Sequence, residues 1–371
     1  MKFTVSSAEL QRTLNKLSGV LPTRSTMPIL ENILFDLAGN QLSLTATDLA
    51  LSLTLTMQVR GIEDGRIAIP AKRIIDTMRS LPDTSASFTI DSATNRVRVT
   101  TDTGEYNLTG EGAKEYPQVP GFQSGATLSF ESNKLKEVIH RTVFAVSSDE
   151  LRPAMMGVLF QVKENTLRAV STDGHRLVRY QLKGIDASSL QKDIIVPAKA
   201  LNVLIRILEG ANATLDVSAT HARFSFEGSI LLTRLIEETY PNYESVIPSD
   251  NEKSVTVQRE PLMLSLRRVA LYASATTHQV RLSIGTTSVE VSAQDIDFGG
   301  EAKETVPCTF AGEKFEIGFN SIYLADILTH LDSDQVEFKF SSPTRAAVVS
   351  PMNGGVGVDI LMLVMPVRLN T

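Results

Sequence analysis

Apolar and polar residues alternate along most of the 371-residue chain, in short runs separated by turn residues such as Asp173-Gly174. Alternation at every second position predicts strands with one buried face. Between these runs, apolar residues recur at helical spacing, as Leu10, Leu14 and Leu17 do, and this spacing predicts amphipathic helices. Because each helix must bury its apolar stripe on a sheet, the pattern predicts an α+β fold.

The predicted elements repeat along the chain. A strand, a helix and three further strands occur twice in the first third, and Leu10 and Ile74 occupy matching places in the two helices, 64 residues apart. Strand-like runs that contain Asp48, Asp173 and Asp295 mark a longer period, with separations of 125 and 122 residues. This period predicts one domain present three times, each made of two strand-helix-three-strand units.

Two stretches without periodicity, residues 116–121 and 240–250, predict linkers because they contain prolines and turn residues. Their first tyrosines, Tyr116 and Tyr240, are 124 residues apart, close to the repeat period. We therefore predict domains at residues 1–123, 124–250 and 251–371. Each third is large enough to bury a core of its own.

Local signals place the ends of several helices. Ser6 and Glu9 predict a capping box at the start of the first helix. Asn320 predicts the cap of the sixth helix. The fifth helix is predicted to follow Pro261, since proline is common at a helix start.

The amino-acid composition mainly excludes certain kinds of site and classes of protein. The single cysteine, Cys308, rules out an intrachain disulfide and a cysteine-rich metal site, and it fits a reducing compartment. We interpret it as a small buried hydrophobe. No apolar run approaches the roughly 20 residues of a membrane helix. The net charge of −6 argues against coating of nucleic acid by bulk charge, although a basic surface on an acidic body stays possible.

The predicted helices nevertheless carry many cations. Five of the six are basic or neutral, and repetition at equivalent positions predicts a surface that faces a polyanion. For any single helix, an ordinary solvated face is the alternative. The sixth helix is acidic, with Asp326 and Asp332. The cations we assign to the polyanion-facing surface are Lys72, Arg73, Arg79, Lys134, Lys136, Arg141, Lys199, Arg206, Arg267 and Arg268.

No catalytic or metal site is predicted. His175 is the candidate base, but Asp173 in the same turn does not make a catalytic triad. The five histidines, at positions 140, 175, 221, 278 and 330, have no spacing suited to a metal ion. A hydrolase that uses His175 is thus a remote alternative, and we expect neither metal nor cofactor.

The chain resembles the bacterial DNA polymerase III beta subunits, the sliding clamps, over its whole length. The residues that carry the resemblance are Met1-Lys2-Phe3-Thr4-Val5, Leu21-Pro22 through Pro28-Ile29-Leu30, Ser171-Thr172-Asp173-Gly174-His175-Arg176-Leu177, Tyr240-Pro241-Asn242-Tyr243 and Val364-Met365-Pro366-Val367-Arg368-Leu369. The resemblance implies the DNA clamp fold, in which two three-domain chains join head to tail into a ring with helices lining the hole and sheets outside. It also implies a non-enzymatic role in the bacterial cytoplasm, at the nucleoid: the ring encircles duplex DNA without reading its sequence and tethers the replicative polymerase.

The resemblance further implies a groove between the second and third domains that binds short peptide motifs of the polymerase, the clamp loader and other partners. Methionines suit a surface that accepts several partners, although core packing is the alternative for them. Ser245 and Ala346 depart from the arginine and serine that relatives often have. By position, the groove residues are Met155, Thr172, Gly174, His175, Arg176, Leu177, Pro241, Ser245, Val246, Ala346, Leu363, Met365, Pro366, Val367 and Arg368.

Two further sites follow from the resemblance. Arg24 joins the DNA-facing residues. The strand at residues 103–108 is expected to be a free sheet edge, where Tyr106 and Leu108 pack against Leu271 and Tyr272 of the other chain, in the helix after Pro261. Burial in their own domain is the alternative for Tyr106 and Leu108. A repeat-built scaffold that binds peptides without encircling DNA stays open as a second hypothesis.

Overall fold

The computed structural model describes residues 1–163, 166–185, 190, 192–352 and 357–369, so Asn370 and Thr371 lie outside the described part. The described residues form six α-helices and 26 strands. The first third holds β1 (Lys2–Ser6), α1 (Ser7–Leu17), β2 (Asn32–Ala38), β3 (Gln41–Thr47), β4 (Leu51–Gln58), β5 (Arg60–Glu63), β6 (Gly65–Pro70), α2 (Ala71–Ser80), β7 (Ser85–Asp91), β8 (Arg96–Thr100), β9 (Glu105–Thr109) and β10 (Glu111–Gly112).

The later thirds repeat the same order of elements. The second holds β11 (Ala126–Glu131), α3 (Ser132–Thr142), β12 (Gly157–Lys163), β13 (Thr166–Thr172), β14 (Arg176–Lys183), β15 (Ile194–Pro197), α4 (Ala198–Ile207), β16 (Asn212–Val217), β17 (His221–Phe226) and β18 (Ser229–Arg234). The last holds β19 (Lys253–Gln258), α5 (Arg259–Val269), β20 (Gln279–Ile284), β21 (Ser288–Asp295), β22 (Gly300–Phe310), β23 (Phe315–Asn320), α6 (Ser321–Thr329), β24 (Gln335–Phe340), β25 (Ala347–Pro351) and β26 (Val358–Val364). The predicted strand-helix-three-strand unit is confirmed six times, and β5 and β10 are additions in the first third.

The helix ends agree with the sequence signals in part. The Asn320 side chain accepts hydrogen bonds from the backbone of Ile322 and Tyr323, as a cap should. Ser6 accepts from the Glu9 backbone, but among the described residues no bond returns from the Glu9 carboxylate. Ser6 is also the last residue of β1.

The predicted start of the fifth helix was wrong. α5 begins at Arg259, two residues before Pro261. Proline is tolerated in the first turn of a helix because the backbone N–H that it lacks would have no partner there. The signal therefore located the first turn correctly but not the first residue.

Contacts divide the chain into two compact units, of which the first comprises Met1–Leu135 and Lys199–Leu235. It holds a five-stranded sheet in the order β5-β1-β7-β8-β9 and a nine-stranded sheet in the order β10-β6-β2-β3-β4-β18-β17-β16-β11. All neighbours in both sheets are antiparallel. α1 and α2 contact each other and turn apolar faces inward, where Leu10, Leu14 and Ile74 are fully buried.

The second compact unit comprises Lys136–Ala198 and Ile236–Thr371. Its twelve-stranded sheet has the order β15-β12-β13-β14-β26-β25-β24-β19-β22-β21-β20-β23. α5 and α6 contact each other, and their apolar faces belong to one core cluster with Leu262, Leu266 and Ile327. Cys308 packs half-buried against this cluster, with its Sγ donating to the Gly285 carbonyl oxygen at 3.4 Å, and burial raises the pKa of its thiol.

Neither unit coincides with a predicted domain, because strand pairing continues from one repeat into the next. In the first unit β4 pairs with β18, with Leu53 opposite Leu231. In the second unit β14 pairs with β26, with Leu177 opposite Leu363. The predicted boundaries near residues 123 and 250 stay a prediction from the sequence repeat.

Candidate functional site

The turn between β13 and β14 is fixed by its own side chains. The Asp173 carboxylate accepts hydrogen bonds from the backbone N–H groups of His175 and Arg176, at 2.8 and 2.9 Å. The Thr172 hydroxyl donates to the Arg176 carbonyl oxygen at 2.7 Å and accepts from the Gly174 backbone at 3.1 Å. Gly174 has φ +90°, a left-handed conformation that favours glycine. The sequence Thr-Asp-Gly-His-Arg therefore specifies one rigid turn.

Arg176 ties this turn to two other elements of the second unit. Its Nε donates to Asp173 at 3.0 Å, and its two terminal nitrogens donate to the Asp326 carboxylate of α6 and, at 2.8 Å, to the Phe144 carbonyl oxygen. The guanidinium also lies over the rings of Phe144 and Tyr323, 5.3 and 4.9 Å from their centroids. With its side chain only 10% exposed, Arg176 is a buried cation in which each of the three guanidinium nitrogens donates to an acceptor.

A cavity of about 530 Å³ opens beside the turn. Its apolar wall includes Met155 and the cross-strand pair Leu177 and Leu363, all of them buried, and Met365 stands more open at 39% exposure. The lining residues are Met155, Thr172, Gly174, Arg176, Leu177, Pro241, Asn242, Tyr243, Ser245, Val246, Ile247, Pro248, Ser249, Asp250, Thr344, Arg345, Ala346, Leu363 and Met365.

Most of the predicted groove residues line this cavity, but four do not: His175, Pro366, Val367 and Arg368. The His175 ring stacks on Tyr323 at 5.5 Å, and the His175 carbonyl oxygen accepts from the Met365 backbone at 2.8 Å. Val367 donates its backbone N–H to Gly318 at 2.9 Å. These four residues are close in sequence to residues that line the cavity but do not line it themselves.

Sequence reasoning missed several lining residues, namely Asn242, Tyr243, Ile247, Pro248, Ser249, Asp250, Thr344 and Arg345. Most of them belong to the stretch that we interpreted as a linker. The stretch is anchored: the Tyr243 hydroxyl donates to the Gln161 side chain at 2.8 Å, and the Tyr243 ring joins a buried cluster with Leu177 and Leu363. Aromatic residues in a stretch rich in proline were the available signal.

The charges of the cavity are paired internally. Arg176 is held by Asp173 and Asp326, and Asp250 pairs with Arg345 at the rim. Because these charges are already compensated and much of the lining is apolar, the cavity suits an apolar side chain better than an ion.

The predicted cations of the helices differ in their surroundings. Lys72, Arg73, Arg206 and Arg267 are exposed and form no ion pair with the described residues, and Arg24 is likewise exposed without one. Lys136 is half-buried. Four more are engaged by acids, in the pairs Arg79–Asp76, Lys134–Glu131, Lys199–Asp48 and Arg268–Glu304.

Arg141 does not present its charge to solvent. Its side chain is 12% exposed, pairs with Asp332 at 3.3 Å and donates to the His330 carbonyl oxygen. Asp332, which we had assigned to the sixth helix, lies beyond the end of α6 at Thr329. Arg141 is thus not the free cation on an exposed helix face that we predicted, and Asp332, although 86% exposed, was wrongly assigned to the sixth helix.

The two predicted interface segments have distinct exposures. In the first unit, β9 pairs with β8 alone among the described strands, and Tyr106 and Leu108 are half-buried on one of its faces. In the second unit, Leu271 is 81% and Tyr272 47% exposed. These two lie in a short 3-10 helix, Ala270–Tyr272, and not in α5 as predicted, since α5 ends at Val269.

Next to this 3-10 helix, the first half of β22 has an open side. Residues Gly300–Val306 pair with β21, and no second strand within the described ranges covers their other side. The adjoining Ile296 and Phe298 are 80% and 89% exposed. An open strand edge flanked by exposed apolar residues is the kind of surface that pairs with another chain.

Two further properties concern the described residues only. No group of three or more histidine, cysteine, aspartate or glutamate side chains is arranged to hold a metal ion. No helix is both long and apolar enough to cross a membrane.

Six strand-helix-three-strand units, built into antiparallel sheets, are the architecture of the DNA clamps. Three family models match the chain in sequence order. They describe the DNA polymerase III beta subunit, with its N-terminal domain at residues 1–120, its central domain at 129–242 and its C-terminal domain at 244–368.

Individual relatives agree with these models. The beta sliding clamp of Vibrio cholerae is 31% identical and aligns over 100% of both chains. Among solved structures, the Bartonella birtlesii sliding clamp bound to griselimycin has a TM-score of 0.94 at 29% identity, and the Pseudomonas aeruginosa sliding clamp with ligand has 0.92 at 30%, each covering 100% of both chains. This chain therefore belongs to the bacterial DNA polymerase III beta subunit family, and its function is that of a sliding clamp in DNA replication.

Proposed function

We propose that two copies of this chain join head to tail into a ring around duplex DNA, and that the cavity beside the β13–β14 turn holds a short peptide motif of each partner protein. The observation that carries the proposal is the cavity, because it combines a buried apolar wall with a rigid turn. Relatives bind small molecules: the sliding clamp of Bartonella birtlesii was solved with griselimycin and that of Pseudomonas aeruginosa with a ligand.

A cavity of this kind fits a short apolar anchor. A pocket of several hundred Å³ with a few polar groups takes hydrophobic side chains and orients them by hydrogen bonds to its rim. The replicative polymerase, the clamp loader and other proteins with such a motif would then compete for one site per chain. Met155 and Met365 are flexible enough to fit different side chains.

The DNA side of the proposal rests on the exposed helix cations. Lys72, Arg73, Arg206 and Arg267 are exposed and form no ion pair with the described residues, so they are available to phosphates, whereas Arg141 is not. Lysine and arginine contacts to phosphate carry no sequence information, so they allow movement along the duplex. The ring would stay on DNA because it encircles the duplex, so the net negative charge of the chain would not release it.

Ring closure is the third part of the proposal. β9 of one copy and the open side of β22 in the other supply two free strand edges, and Leu271 and Tyr272 supply apolar surface beside the second. Two chains close the proposed ring when each supplies half of it. A head-to-tail contact makes a closed ring only when its rotation returns to the start.

Such a clamp needs no chemistry of its own. We infer a non-enzymatic protein without metal or cofactor that acts in the bacterial cytoplasm, at the nucleoid. The one candidate base, His175, stacks on Tyr323, and the Asp173 carboxylate beside it is engaged by Arg176 and by the turn backbone.

Sedimentation and DNA topology test the proposal together. Analytical ultracentrifugation should give the mass of two chains at micromolar concentration. Protein loaded by a clamp loader should remain on nicked circular DNA through gel filtration and should leave the same DNA after linearisation. A chain that binds peptide, stays monomeric and ignores DNA topology would instead be the repeat-built scaffold.

A further inference from the structure

Arg176 faces the cavity, yet most of what holds it comes from elsewhere in the second unit. Asp173 belongs to its own turn. Phe144 lies in the segment after α3. Asp326 and Tyr323 lie on α6, 150 and 147 positions after Arg176 in the sequence. Neither Asp326 nor Tyr323 lines the cavity. The orientation of one cavity wall is thus determined by groups outside the cavity.

α6 holds two consecutive residues of the turn. The Tyr323 ring lies 4.9 Å from the Arg176 guanidinium and also stacks on the His175 ring at 5.5 Å. One helical turn further along, the Asp326 carboxylate receives a terminal nitrogen of Arg176. Because positions three apart share a helix face, α6 presents both groups to the turn from one side.

The planar guanidinium makes this support specific. Arginine donates through a rigid fork, so removal of one acceptor leaves a buried donor without a partner while the other donors stay engaged. The side chain then has to rotate to regain an acceptor. Rotation disturbs its bond to Asp173, which is also the acceptor for the turn backbone.

We propose that Asp326 is a positioning residue of the groove: it holds Arg176 in the orientation that forms the cavity wall, and thereby strengthens peptide binding without touching the peptide. This inference rests on the proposed peptide-binding function. It assigns α6 a role in partner affinity that is independent of any contact with DNA.

The test is a double-mutant cycle on the full-length chain. A fluorescein-labelled peptide from the polymerase of the same bacterium is titrated by fluorescence anisotropy, with griselimycin as an unlabelled competitor. Asp326→Asn should raise Kd about tenfold, within the coupling usual for residues of one hydrogen-bond network. Asp326→Glu should recover part of the affinity. Asp332→Asn, which removes an acid near the end of the same helix that pairs with Arg141, should leave Kd unchanged.

The second arm separates positioning from general stability. In an Arg176→Lys background, which loses the planar fork, Asp326→Asn should change Kd less than twofold. An equal loss in both backgrounds would overturn the inference, because Asp326 would then act through some other group. Thermal unfolding of each variant confirms that titrations are made on folded protein.

The two proposals fail in different ways. If the wild-type chain binds neither the labelled peptide nor the competitor, the proposed function of the cavity is wrong. If the wild-type chain binds and Asp326→Asn binds equally well, only the positioning role is wrong.

Discussion

The cavity and the cationic helix surfaces are organised in opposite ways. The cavity joins residues from five separate stretches of chain, and within it Leu177 and Leu363 are almost wholly buried and the charged groups are compensated. The helix cations recur along the repeat, and each of them either pairs with an acid or forms no ion pair within the described ranges. One surface depends on packing and the other on the number of charges left free.

This difference indicates how each surface tolerates change. In the cavity, a single residue in the wrong state disturbs its neighbours, since apolar contact and hydrogen bonding act together there. On the helices, a single cation contributes one of several similar interactions, each screened by salt. Cavity variants should thus have large, local effects, and helix variants small and additive ones.

The variant with the largest expected effect should prevent ring closure and leave both the cavity and the helix cations intact. Leu271→Ala with Tyr272→Ala should give a folded monomer, because burial of each of these side chains is worth about 1.5–3 kcal/mol. Sedimentation should show one chain, and retention on circular DNA should be lost while peptide affinity persists. Ile62→Ala, at a 60% exposed residue of β5, is the matched control and should remain a dimer. A dimeric double variant would mean that the interface lies elsewhere.

A charge in the cavity should abolish peptide binding and leave the ring intact. Met365→Asp places a carboxylate beside Leu363, where desolvation without a partner is unfavourable. Kd should rise about a hundredfold, which corresponds to about 2.7 kcal/mol. Met352→Asp, at a methionine of similar exposure away from the cavity, should bind as the wild type does. Unchanged binding by the Met365 variant would locate the peptide elsewhere.

Reversal of free cations should weaken DNA retention by a smaller factor. Lys72→Glu, Arg73→Glu and Arg206→Glu together should shorten retention on circular DNA at low salt and leave peptide affinity unchanged. Each lost phosphate contact should reduce the salt dependence of binding by about 0.9 in log–log slope.

Two single variants on α2 sharpen this point. Lys72 has no ion-pair partner among the residues that the structure describes, whereas Arg79 already pairs with Asp76 at 3.4 Å. Lys72→Glu should therefore lower the salt dependence more than Arg79→Glu does. Equal effects would show that pairing within the helix does not decide which cations reach DNA.

The smallest expected effect concerns pH. Burial lowers the pKa of His330, which stacks on Phe144 at 3.8 Å, so the folded chain binds this proton less readily than the unfolded chain. Stability should accordingly decrease as the pH falls below about 6.5, the ordinary histidine value, because protonation then favours the unfolded state. His330→Phe should flatten that decrease in thermal unfolding between pH 7 and 5. His278→Asn, at a half-buried residue with φ +49° where asparagine is tolerated, is the control and should leave the decrease unchanged.

The fold was predictable because its signals are local and repeated. The alternation in each strand, the apolar stripe of each helix and the Asn320 cap lie within a few residues of the elements that they specify. The Thr172–Arg176 turn was visible for the same reason. Six copies of one unit also allow each copy to support the interpretation of the others.

The candidate site was predictable only where single residues identified it. Arg141 looked like any other helix cation because its partner Asp332 is 191 positions away. The Asp250–Arg345 pair and the Tyr243–Gln161 hydrogen bond also join distant segments, so a stretch that forms part of the cavity wall was interpreted as a linker. Long-range pairing leaves no pattern in one sequence.

The single cysteine has a practical consequence for chemical labelling. Cys308 is half-buried and its thiol pKa is raised, so at neutral pH it carries little of the reactive thiolate. A cysteine introduced at an exposed position outside the proposed interface, such as Leu151 or Ile62, should react with maleimide well before Cys308 does. Fluorophores or covalent cross-links can thus be directed to chosen positions while the native thiol stays in place.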